Sequence, residues 1–165
     1  MSQLSWEDLF TDVAHLDFER LFAEWPGLVV GSVRPIGASA FGDLFFERRT
    51  GGVEKLDVLE GGLHPVAATF EEFSKLMNSE DWQKIHLLSN GVALLKQKGG
   101  SKTQAQFFGF APHPSFAGRI EWSSVLPLDA AVWHSICAQT LDRPAPSAAP
   151  SSDLAGQKRP WWKAW

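Results

Sequence analysis

The sequence is short of cysteine, of long apolar runs and, over its first half, of positive charge. Cys137 is the single cysteine in 165 residues, which excludes an internal disulfide and every zinc or iron–sulfur pattern that needs several thiols. A reducing compartment fits that usage. No stretch approaches the roughly 18 consecutive apolar residues of a membrane span. Residues 1–10 carry acids in place of a basic segment leading into an apolar one. The expectation is a cytoplasmic protein with no membrane contact. Fifteen of the 19 acidic residues precede Gln83, against six of the 15 lysines and arginines. That half would repel phosphate, so no direct nucleic-acid binding is expected. A charged interaction face is expected instead, unless folding intermixes the halves.

What is present reads as a globular domain. Hydrophobic residues make up 44% and charged residues 21%, ordinary values for a chain with one packed core. A domain of this size buries roughly 70% of its unfolded surface and needs no metal or disulfide staple. Residues 1–142 form the expected single domain. Residues 143–156, rich in Pro, Ala and Ser, predict a flexible linker. Beyond it stand Trp161, Trp162 and Trp165 among Lys158, Arg159 and Lys163. Such a tail suits folding back onto the domain, docking into a partner or touching a membrane interface.

Local signals place the elements. A capping box at Ser5 and Asp8 with apolar residues at helical spacing predicts a helix over 6–24, with Asp17 as a point where it can break. Trp25-Pro26-Gly27 ends it. Residues 28–34, 41–47 and 53–59 carry strand signals, the last two as a hairpin across Thr50-Gly51-Gly52. A short strand at 63–66 follows Gly61-Gly62. A second capping box at Thr69 and Glu72 opens a helix ending near Asn78, and Ser79 caps another through Trp82 and Ile85. Residues 91–98 remain open between helix and strand, with helix ahead. Residues 106–111 and 119–125 predict two further strands around the loop 112–118. Asp129 caps a last helix to about Asp142. The fold class is α+β: a mainly antiparallel sheet of five or six strands flanked by three to five helices.

Catalytic chemistry finds no anchor in this sequence. His15, His64, His86, His113 and His134 are scattered, with no pair at metal-ligand spacing. Cys137 falls on the apolar face of its helix and reads as a core thiol rather than a nucleophile. No serine sits in a GxSxG elbow. Lys98-Gly99-Gly100-Ser101-Lys102-Thr103 lacks the order of a phosphate loop and reads as an exposed turn. Asp57 and Glu60, three apart at a strand end, are expected to point to opposite faces, which disfavours paired acid–base work. Neither metal nor cofactor is predicted, and the chain is not expected to be an enzyme. The rival reading is a small hydrolase built on His113 with nearby acids; a regulatory scaffold is a third.

The strings Phe41-Gly42-Asp43-Leu44-Phe45-Phe46, Leu56 to Leu63, Ala68 to Phe73, Phe107-Phe108-Gly109-Phe110 and Pro112-His113-Pro114 before Gly118 together resemble the C-terminal domain family of type VI secretion DNase immunity proteins. Members of that family often stand beside a GAD-like domain; here about 25 residues precede the match, which spans roughly 27–141. The resemblance implies a cytoplasmic protein that binds a cognate antibacterial DNase toxin and blocks it, with no catalytic residue to carry over. Asp57, Glu60 and Gly61 match the motif. An acidic surface suits an inhibitor of a DNA-cutting enzyme, whose substrate cleft is basic. The candidate toxin-binding residues are Glu47, Glu54, Asp57, Glu60, Glu71, Glu72, Glu80 and Asp81.

Overall fold

A computed structural model describes residues 3–141. The expected linker and Trp-rich tail lie outside them, as does the tail's role. The fold is α+β. Strands β1 (Phe10–Asp12), β2 (Val33–Ser39), β3 (Leu44–Arg48), β4 (Val53–Asp57) and β5 (Gly62–Ala67) form one antiparallel sheet in that order. Strands β6 (Gln106–Phe110) and β7 (Val125–Asp129) pair separately. Among the described residues the α-helices are α1 (Trp6–Leu9), α2 (Phe18–Ala23), α3 (Phe70–Leu76), α4 (Glu80–His86), α5 (Ser89–Gln97), α6 (Pro114–Ala117) and α7 (Ala130–Leu141). None is long and apolar enough to cross a membrane.

Three expectations are corrected. The helix over 6–24 is two helices, because Phe10–Asp12 leaves the helix and adds an edge strand against Gly37–Ser39. The strand over 28–34 starts only at Val33. The amides of Leu28 and Val29 turn back to the Trp25 carbonyl at 3.1 and 3.0 Å, and the strand then runs through Pro35 with a bulge before Gly37. The strand over 119–125 lies at Val125–Asp129, after a 3-10 turn at Trp122–Ser124. Pro127 is tolerated because β7 has a partner on one side only. The open segment around 91–98 is helical. One turn of helix in the loop 112–118 and the divided first helix take the helix number above that expected.

Alternation in β3 distributes the core to both faces of the sheet. Phe45 packs against Phe73 of α3 and Trp82 of α4, with ring centroids 5.6 and 5.9 Å away. Phe46 meets Phe22 of α2 edge-on at 5.4 Å. Helix α7 then ties the smaller hairpin to the rest: Phe110 and Phe107 pack on Trp133 and His134. Cys137 is fully buried, so the reading as a core thiol holds, and burial raises its pKa well above the ordinary value.

The decisive polar contacts of α7 go to the turn before β3. Trp133 Nε1 donates to the Phe41 carbonyl at 2.8 Å. His134 Nε2 donates to the Gly42 carbonyl at 2.8 Å, while its Nδ1 accepts from Trp25 Nε1 at 3.0 Å. These partners fix one neutral tautomer, since protonation would set two N–H groups face to face. Gly42 adopts φ +101°, and a Cβ there would stand 3.0 Å from Trp133 Cδ1, so glycine is required on two counts.

Burial drives the His134 pKa down to about 4, against the opposing pull of the Gly42 carbonyl. The folded value lies below the unfolded one of about 6.5. The unfolded chain therefore binds more protons between these values, and the stabilisation from neutral His134 is complete above pH 6.5 and lost as pH falls to 4. The expected slope is up to about 1.4 kcal/mol per pH unit for one histidine. His134→Phe keeps the ring volume but strands Trp25 Nε1 and the Gly42 carbonyl, a cost of about 1–3 kcal/mol for each group. Urea titrations from pH 4 to 8 should show lower stability for this variant and a shallower acid slope.

Candidate functional site

The chemistry of the molecule concentrates where β4 turns into β5. Asp57 ends β4, and its Oδ1 accepts from the amides of Leu59 and Glu60, both at 2.9 Å. Its carbonyl takes the Gly61 amide at 2.8 Å. Gly61 supplies φ +74°, and a Cβ there would press on Leu141 at 2.9 Å. The turn thus closes in four residues, and Gly62 pairs with Asp57 while His64 pairs with Lys55. Directly paired residues share a sheet face, so Lys55, Asp57 and His64 project together.

This overturns the expectation that Asp57 and Glu60 point apart. Donor atoms of Asp57, Glu60 and His64 all lie within 4.8 Å of one another. The period-two argument fails because Glu60 belongs to the turn, where strand alternation no longer applies.

Two residues from elsewhere clamp the Val58 peptide within this turn. Asp43 Oδ1 accepts its amide at 3.0 Å, and His113 Nε2 donates to its carbonyl at 3.2 Å. His113 Nδ1 accepts the Ser115 amide at 3.1 Å, so the residue caps α6 with one ring nitrogen and holds the turn with the other. Its ring lies 5.7 Å from that of Trp133. Only 3% of His113 is exposed, and burial lowers its pKa despite the Val58 carbonyl and the Asp57 charge. Both nitrogens are engaged, which leaves no lone pair for a general base. The arrangement weakens the hydrolase reading at its chosen residue.

The charges around the turn are interdependent. Lys55 is 5% exposed and its Nζ stands 3.3 Å from His86 Nδ1. The His86 pKa falls to about 4, first from burial, then from the Lys55 and His64 charges, with Asp57 opposing. Asp43 is also 5% exposed. Burial and then the Asp57 charge push its pKa up to about 7, against Lys55 and the Val58 amide. Asp43 therefore shares the turn with Asp57 largely by holding its proton through mildly acidic pH.

The remaining acids do not join this cluster. Glu47 pairs with Arg34 across β2–β3, and Glu54 with Arg48; these two are already compensated. Glu71 pairs with Lys75 at 3.0 Å, and Glu72 Oε2 accepts the Ala68 amide at 2.9 Å. Glu80 and Asp81 are exposed in the first turn of α4, about 9 Å along the helix from His86 at 1.5 Å per residue. Of the eight predicted acids, only Asp57 and Glu60 meet. Lys55, Asp43, His64 and His86 were not anticipated. The i, i+2 spacing of Lys55 and Asp57 was the available signal; the register that adds His64 was not in the sequence.

Beside this turn the loop 112–118 presents an aromatic ring. Phe116 is 64% exposed although His113, three residues earlier, anchors the loop in the core. Compared with known proteins, the chain matches no family model and no curated protein.

Asp43→Asn tests the charge balance of the turn, since the amide oxygen can still accept from Val58. In the wild type the folded carboxyl keeps its proton up to about pH 7 while the unfolded one ionises near pH 3.8, so stability is lost as pH rises between them. The variant cannot titrate there. Its stability relative to wild type should climb from pH 4 to 7 and level above, measured by chemical denaturation; parallel profiles would exclude the buried-acid assignment.

Proposed function

We propose that the protein is a cytoplasmic immunity protein that binds a DNase toxin of a type VI secretion system and neutralises it by surface complementarity. The resemblance stated from the motif strings motivates this reading. The single structural observation in its favour is the loop 112–118, which is braced on the β4–β5 turn through His113 and exposes Phe116.

The physical logic is preorganisation. A large ring held out by a loop whose base is buried loses little conformational entropy on binding, and aromatic anchors of this kind dominate interface energies. Acidic groups on the turn that His113 braces complement a basic DNA-binding cleft and speed encounter. The engaged ring nitrogens of His113 also fit a binding role better than hydrolysis. DNA itself is the toxin's substrate in this reading and is not contacted by the inhibitor.

The test is co-expression with the nuclease encoded beside this protein's gene. A stoichiometric complex and rescue of the cells from DNA damage are expected; no complex together with no rescue would end the proposal. Phe116→Ala should weaken that complex about 30-fold, the effect of a 2 kcal/mol anchor, with an unchanged melting temperature. Wild-type affinity in this variant would move the anchor elsewhere on the surface.

A further inference from the structure

We propose that Asp57, Glu60 and His64 form a binding site for one divalent cation of the zinc or first-row transition class. This inference is independent of toxin binding. It rests on the way the β4–β5 turn brings three ligating side chains to one sheet face at the solvent boundary.

Asp57 is the fixed ligand. One carboxylate oxygen is committed to the Leu59 and Glu60 amides, which holds the carboxylate plane. The other oxygen faces His64 Nε2 at 4.0 Å, outside hydrogen-bonding reach, with 8% of the Asp57 side chain exposed and 49% of that of His64. Three ligands spread evenly at about 2.0–2.2 Å around one ion stand about 3.3–3.8 Å apart. The observed 4.8 Å limit leaves a closure of about 1–1.5 Å, which rotation of the partly exposed Glu60 and His64 side chains would make. Solvent access on the His64 side leaves room for water as further ligands.

Charge supplies the second argument. Two carboxylates, Asp57 and Glu60, meet beside one imidazole, and a dipositive ion complements that donor set. The donor set selects the metal class: a nitrogen ligand disfavours calcium and magnesium, which take oxygen shells, and suits zinc, cobalt, nickel or manganese. Binding would lock the same turn that His113 braces, so the melting temperature should rise with metal concentration.

Calorimetric titration of the full chain, stripped with chelator, with zinc chloride and then calcium chloride decides the matter. One zinc ion per chain and no calcium uptake are expected. Glu60→Gln and His64→Ala should each weaken zinc binding about 10-fold or more, and Asp57→Asn, which keeps an oxygen for the turn amides, should do the same. His15→Ala, a substitution at an exposed histidine outside the cluster, should bind as the wild type does. Absence of zinc uptake, or equal affinity in Glu60→Gln and His64→Ala, would overturn the site.

Discussion

The Val58 peptide is the point on which the β4–β5 end of the molecule depends. Asp43 holds its N–H and His113 its carbonyl. Both holders trace back to α7: Trp133 and His134 bond the carbonyls of Phe41 and Gly42 just before Asp43, and the His113 ring lies beside Trp133. The contacts close a circuit from α7 through the β3 turn to the β4–β5 turn and back through the loop before α6. Each member is buried, so a lost partner would leave an unsatisfied group in a medium of low dielectric, and the members stand or fall together.

That circuit ties the exposed features to the core. Phe116 and Glu60 sit on short irregular segments, which ordinarily move more than the elements they join. Here one histidine serves both segments. The acids of the central strands contribute little by comparison, because Glu47 and Glu54 are neutralised by Arg34 and Arg48, and ion pairs near the surface add little net energy. At the β4–β5 turn the charges form a small cluster of mixed sign, with Asp43 driven toward its neutral form and His86 kept neutral.

Sequence reasoning reached the fold class, the hairpin at Thr50–Gly52, the capping box at Ser5 and Asp8, the Thr69 cap of α3 and the burial of Cys137, since each follows from local rules of period, capping and turn chemistry; the reciprocal half of the second capping box goes instead to the Ala68 amide. It missed β1 because Phe10–Asp12 carries a helical spacing and becomes a strand only by pairing with Gly37–Ser39. It displaced β2 because Pro35 and Gly37 read as punctuation, whereas a bulge accommodates them. At the site, Asp57 and Glu60 were legible as residues but not as neighbours. Their convergence with His64 depends on a cross-strand register, and the Asp43 and His113 contacts join positions 15 and 55 residues apart. The motif strings that carry the family resemblance include Phe41-Gly42-Asp43, Val58 and His113, the members of the buried circuit, so structural demand accounts for much of that pattern.

Hydrogen-exchange mass spectrometry of the chain alone and mixed with a type VI DNase toxin that it protects against on co-expression bears most directly on the idea that this braced end is the working surface. Slowed exchange centred on residues 57–64 and 112–118, with the rest of the sheet unchanged, is the predicted footprint. Protection confined to α3 and α4, or none at saturating nuclease, would contradict it.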